Sequence, residues 1–228
     1  MESLVIMRCK SKSLLIKQGL IFIFLSIYIG SGNLSAQELK LVNEWSVNDV
    51  VDATSDFSGN LYLSNERGII SKYDKNGTVQ ISYSGPLKSP IHSIDASHTS
   101  KIFGFYRDQQ SYLILDRFLN PLHEANLSPS VSGFVTETAY SADNNLWLFD
   151  QSDISIQKAN LFSNVVVTSS AIPLVIADEE WDLLQIKEYQ NRIYLYNSSK
   201  DIYLFDNLGN YIRKLGISSD CQICFDGS

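Results

Sequence analysis

Histidine, cysteine and methionine are scarce in this sequence, with three, three and two among 228 residues. So few imidazole and sulfur ligands leave little material for a metal or thiol centre. Base is the minority charge: Lys plus Arg number 18 against 25 for Asp plus Glu, and the formal net charge is −7. An acidic chain gains nothing from general electrostatic attraction to nucleic acid or anionic lipid, so neither is expected as a partner. The chain contains no G-x-S-x-G segment, no Gly-rich phosphate loop and no nucleophile paired with a base at a known spacing. No catalytic, cofactor-binding or metal-binding residue is therefore singled out, and no cofactor is expected. Charged residues amount to only 19% and hydrophobic residues to 44%, enough to fill a core. Tyr and Phe are plentiful at 12 and 11, a composition that favours strands.

The N-terminus is read as an export signal. Arg8, Lys10, Lys12 and Lys17 precede an apolar run over residues 20–29, and Gly30-Ser31-Gly32 closes it. A basic region, a short apolar region and small residues make the layout of a secretory signal peptide. The apolar run has about half of the roughly 20 residues that a membrane span needs, so no stable span is expected after cleavage. Cleavage after Ala36 would make residues 1–36 the signal peptide and leave Gln37 first, in the periplasm or outside the cell. It would remove four bases and one acid, taking the net charge from −7 to −10.

The remainder repeats. Tyr62, Phe103, Trp147 and Tyr194 recur at intervals of 41, 44 and 47 residues. Asp74, Asp116, Asn160 and Asp206 recur at 42, 44 and 46. The apolar runs that carry these anchors are five to seven residues long and rich in Ile, Tyr, Phe and Leu, which suits strands. Runs such as Leu146-Trp147-Leu148-Phe149 are apolar at consecutive positions, so both faces of the strand should be covered. Each Asp or Asn anchor is expected to fold its side chain onto the backbone of a tight turn.

In the first copy the strands are expected at Asn48–Ala53, Asn60–Asn65, Ile69–Asp74 and Thr78–Tyr83. Residues 91–126, 134–169 and 183–215 would repeat them, and Glu38–Val47 reads as a further strand ahead of the first copy. A four-stranded unit of about 42–46 residues is the size of a propeller blade. The fold expected is all-β: a β-propeller of four-stranded antiparallel blades over residues 37–216, with a C-terminal tail at 217–228. An irregular β-sandwich with evenly spaced strands is the alternative.

Segments such as Asp56-Phe57-Ser58-Gly59-Asn60-Leu61-Tyr62-Leu63, followed by Ile70-Ser71-Lys72-Tyr73-Asp74-Lys75-Asn76-Gly77, resemble secreted bacterial six-bladed β-propellers of the NHL and TolB-like kind. The resemblance covers residues 38–216. It implies a scaffold that binds a protein or a glycan through loops at one mouth, or, as the alternative, a metal-dependent hydrolase of the lactonase kind. Six blades would need about 264 residues, so about four are expected in an open or incomplete ring, as in a shortened gene product. A closed four-bladed ring is the runner-up. An open ring should leave an apolar face bare on its first and its last blade.

The remaining motifs are read as structural. Cys221-Gln222-Ile223-Cys224 is an incidental pair or a local disulfide, since no second ligand pair lies nearby. His92, His98 and His123 lack metal spacing. Asp74-Lys75-Asn76-Gly77 is a turn and not a calcium loop, and the acidic stretch Asp178–Asp182 is a solvated connector.

Overall fold

The turn anchors do what their chemistry allows. Asp74 Oδ1 accepts from the N–H groups of Asn76 and Thr78 at 2.9 and 2.8 Å. Asp116 Oδ1 accepts from Phe118 and Asn120, both at 2.8 Å, and Asp206 Oδ1 from Leu208 and Asn210 at 2.9 and 2.8 Å. Asn160 holds the Ser163 N–H at 3.0 Å. One carboxylate oxygen that answers two turn donors fixes where the chain reverses. Gly77 and Gly209, with φ of 79° and 86°, take the left-handed position that follows.

The structure is a computed structural model that describes residues 4–8, 47–98, 100–127, 133–161, 163, 165–176, 180–216 and 221–225. Strand β1 is Leu4–Arg8. Blade 1 comprises β2 (Val50–Ser55), β3 (Leu61–Asn65), β4 (Ile69–Tyr73) and β5 (Val79–Ser84). Blade 2 comprises β6 (Ser93–Asp95), β7 (Lys101–Tyr106), β8 (Ser111–Asp116) and β9 (Pro121–Asn126). Blade 3 comprises β10 (Val135–Tyr140), β11 (Asn145–Asp150), β12 (Ser155–Asn160) and β13 (Val166–Ala171). Blade 4 comprises β14 (Leu183–Tyr189), β15 (Arg192–Asn197), β16 (Asp201–Asp206) and β17 (Tyr211–Gly216). Strand β18 is Cys221–Phe225, antiparallel to β1 in a separate two-stranded sheet. Each blade is an antiparallel meander whose strands pair in chain order. The only helical piece among the described residues is a 3-10 turn at Ile172–Leu174, so none is long and apolar enough to cross a membrane.

The four sheets form a four-bladed β-propeller, and the expected repeat boundaries hold closely. The first strand starts two residues later than expected, at Val50. Asp49 adopts a left-handed φ of 61°, which is incompatible with an extended strand. Residues 38–46 of the expected leading strand lie outside the described residues, and Val47 is not in a strand.

Stacking explains the consecutive apolar positions. Successive residues of a strand point to opposite faces, and here each face meets a different blade. In β11, Leu146 and Leu148 share a core with Phe103, Phe105, Tyr112 and Ile114 of blade 2. Their neighbours Trp147 and Phe149 pack instead with Ile193, Leu195, Tyr203 and Phe205 of blade 4. Likewise Tyr62 and Ile70 of blade 1 pack with Ile102, Leu113 and Leu115 of blade 2. The outermost strands β5, β9 and β17 are mostly exposed, and β13 is mostly half-buried.

No strand pairing among the described residues joins blade 4 to blade 1, so hydrogen bonds do not close the ring. The first blade leaves Val50, Val51 and Val79 exposed on its innermost and outermost strands, whereas Leu63 of its middle strand is buried. The last blade departs from expectation. Tyr194, Tyr196, Ile202 and Leu204 on its far face are buried in a cluster that includes Ile223 of β18, so the strand beyond the repeats covers that face.

Trp147 tests the stacking. It is fully buried between blades 3 and 4, and its Nε1 donates to Glu188 Oε2 at 2.9 Å. Trp147→Ala should destabilise the fold by about 3–5 kcal/mol, read as a lowered midpoint in urea denaturation.

Candidate functional site: an axial channel in two chambers

The inner strands β2, β6, β10 and β14 surround the axis. Their registers match Ala53 with Leu63, Ile94 with Gly104, Thr138 with Leu148 and Ile186 with Leu195. One residue earlier on each strand stand Asp52, Ser93, Glu137 and Gln185. Three of these follow a register shift, between Val50 and Asp52, Val135 and Glu137, and Leu183 and Gln185. A bulge inserts one residue and re-aims the next side chain. All four line an axial chamber of about 340 Å³ and form a polar collar within it. One residue later come Thr54, Asp95, Ala139 and Lys187.

The charges are cross-linked between blades. Lys187 Nζ of blade 4 lies 3.4 Å from Asp95 Oδ2 of blade 2, across the axis. Burial raises the Asp95 carboxyl, but the Lys187 charge and hydrogen bonds from Ser97 outweigh it and hold the group below its ordinary value. Glu137 of blade 3 accepts from His92 Nε2 of blade 2 at 2.8 Å and from the Arg107 guanidinium. Arg107 Nε also donates to the Thr136 carbonyl at 2.9 Å. Asp52 Oδ2 of blade 1 accepts from the Ile94 N–H of blade 2 at 2.8 Å. Burial pushes the Asp52 carboxyl above its ordinary value, and the N–H groups of Ile94 and Ala53 only partly oppose this. Thus two acids of one chamber are shifted in opposite directions.

A second chamber of about 420 Å³ lies beyond the Asp95–Lys187 pair. Phe57, Leu61, Tyr189 and Ile223 give it an apolar wall, and His98 and Glu188 contribute polar edges. Ala53, Asp95, Gln185 and Lys187 line both chambers, so the ion pair stands at the boundary between them. Gln185 Oε1 accepts from the Ile223 N–H at 2.7 Å, which ties β18 to the inner strand of blade 4.

The residues singled out by sequence fall in several places. His98 Nε2 sits 3.0 Å from the Tyr140 carbonyl, and His123 Nε2 lies 3.3 Å from the Tyr112 hydroxyl, both structural contacts. His92 lines the polar chamber beside Glu137. Cys221 and Cys224 fall on β18, opposite Arg8 and Val5, with their side chains outside the described residues. Of the acidic stretch, Asp178 and Glu179 lie outside the described residues, Glu180 and Asp182 are exposed as expected, and Trp181 is buried against Tyr203 at a ring separation of 4.6 Å. Asn197 holds that segment through its contacts with the Asp182 N–H and the Glu180 carbonyl, both 2.8 Å. Sequence reasoning missed the collar, although a signal existed. Asp52, Ser93 and Glu137 stand ten residues before their aromatic anchors, and Gln185 stands nine before Tyr194.

Fold and channel together define a β-propeller with an axial cavity. Known structures of similar architecture include virginiamycin B lyase from Staphylococcus aureus, with 14% identity over 73% of this chain and 55% of that one, at a TM-score of 0.52. The WD40 domain of Neurospora crassa Pan2 has 8% identity over 73% of this chain and 49% of that one, at 0.54. A protein of unknown function from Bacteroides caccae has 14% identity over 73% and 66%, at 0.53. At such identities the likeness shows the fold alone. The chain spans about half to two thirds of the length of these structures. No protein-family model and no curated protein matches it.

The Asp52 environment has a measurable consequence. A carboxyl raised on folding costs stability at every pH above its raised value, and the cost fades as falling pH protonates it in both states. Asp52→Asn should therefore raise Tm at pH 7, and the gain should vanish below the ordinary carboxyl value of 3.8, as read by thermal denaturation across pH.

Proposed function

We propose that the protein is an exported β-propeller binding module of the NHL and TolB-like kind, which takes its ligand in the axial channel. The polar chamber carries this reading. Four inner strands bring polar side chains to one cavity, and three of them use a bulge to do so. A cavity of about 340 Å³ is within the size range of small-molecule sites. A protein or glycan reached through the loops at a mouth is the partner class, with a terminal group entering the channel. The structural neighbours include both an enzyme and a WD40 domain, which fits a scaffold that hosts unrelated functions.

The lactonase-type alternative needs at least three acidic or amide ligands converging on the axis. Asp52, Glu137 and Gln185 bring three such side chains to the chamber, but Gln185 Oε1 is engaged with the Ile223 N–H, and among the described residues no group of three or more His, Cys, Asp or Glu is placed to hold a metal ion. The carboxylates of Asp95 and Glu137 are engaged with Lys187 and Arg107. The binding reading is therefore preferred.

Export rests on residues 1–36. Protein recovered from the periplasm or medium of an expressing bacterium should begin at Gln37 by mass spectrometry, and an intact Met1 there would refute cleavage. For the binding reading, glycan and peptide arrays should yield a ligand whose capture is lost in Leu184→Trp. Leu184 is exposed and lines the chamber, so a bulky ring there should block it without disturbing the core. Capture unaffected by that substitution would move binding away from the channel.

A further inference from the structure

The polar chamber carries an unbalanced charge. Three carboxylates line it, and two have cationic partners: Asp95 with Lys187, and Glu137 with Arg107. Asp52 forms no ion pair among the described residues, and Lys187 and His92 favour its charged form only more weakly than its backbone hydrogen bonds do. Its carboxylate is answered by the backbone N–H groups of Ile94 and Ala53. An anion withdrawn from water without a counter-ion is costly, and a cation brought to it recovers part of that cost.

An independent observation points the same way. Thr138 lines the chamber and is only 6% exposed, yet its Oγ1 finds no hydrogen-bond partner in the protein. Ser93 Oγ, in the same chamber, is also buried and unpartnered. Hydroxyls elsewhere, among them those of Tyr106, Ser111 and Thr136, are buried without a partner as well, but of these residues only Ser93 and Thr138 line the chamber, where a bound ligand can answer them.

We propose that the polar chamber binds the primary ammonium group of a small organic cation, with Asp52 as its counter-ion and the hydroxyls of Ser93 and Thr138 as further acceptors. The inference rests on the binding-module reading and gives that module a ligand class. A primary ammonium brings one positive charge and three N–H donors. The chamber supplies one carboxylate outside any ion pair and two hydroxyl oxygens without a partner. Calcium prefers six to eight oxygen ligands, more than this set offers. A few carbons of the ligand would fit against Ile94, Phe103 and Ile186, the apolar part of the wall.

Isothermal titration calorimetry on the full chain tests this with n-butylammonium, tetramethylammonium, 1-butanol, calcium chloride and maltose. Butylammonium should bind at least about tenfold more tightly than 1-butanol, which lacks the charge, and than tetramethylammonium, which lacks the donors. Asp52→Asn keeps the side chain's shape and its acceptor for Ile94, and should weaken butylammonium at least about tenfold. Thr138→Val should weaken it several-fold, with near-ultraviolet circular dichroism confirming that both variants fold. Equal affinity for butylammonium and butanol would overturn the proposal. So would a folded Asp52→Asn protein with unchanged affinity, or calcium binding in place of the amine. Maltose binding with butylammonium inert would remove the ammonium assignment and leave the binding module standing. Loss of every array ligand would remove the module itself.

Discussion

Between blades 2 and 3 the ring of Phe103 lies 5.9 Å from Tyr140 and 6.3 Å from Tyr112, near parallel to both. Apolar contacts recur between blades 1 and 2, 2 and 3, and 3 and 4, where the middle strands of one sheet bury alternate residues against the next. Each fully buried side chain of this size contributes about 1.5–3 kcal/mol, and the boundaries are built almost entirely from them. A blade alone would leave both apolar faces in water. Blades therefore have to stack, and stacking them fan-wise creates an axis.

The axis inherits a problem from that arrangement. Inner strands meet at its centre without pairing, so cross-blade links fall to side chains. Asp52 reaches the Ile94 N–H, Glu137 reaches His92 and Arg107, and Lys187 reaches Asp95. Low solvent access strengthens each link and makes any unmatched group costly. Asp52, Ser93 and Thr138 are the groups left incompletely matched. Groups of that kind at the centre of a stable stack mark a place where stability has yielded to some other requirement.

The ring's ends are treated unequally. The far face of blade 4 is covered by Ile223, while blade 1 keeps Val50, Val51 and Val79 exposed. The second chamber lies at one end of the channel, with walls from all four blades and β18. The channel thus has an apolar space beside the polar one, and the Asp95–Lys187 pair stands where they meet.

Local chemistry made the repeats legible without coordinates. Strand length, the aromatic anchors and the Asp turns depend on neighbours along the chain, and their spacing survives in the sequence. Consecutive apolar residues such as Leu146 to Phe149 even announced that both strand faces would be covered. The collar was not legible in the same way. Its members sit 41 to 48 residues apart, and bulges, which leave no compositional mark, decide which of them face the axis. Whether Asp52 or Asp95 would gain a cation depended on blades 2 and 4 facing each other. The cover that Ile223 lays over blade 4 depended likewise on where the segment after the repeats comes to rest. Desolvation and charge pairing act through space, so they were decided only when the blades had stacked.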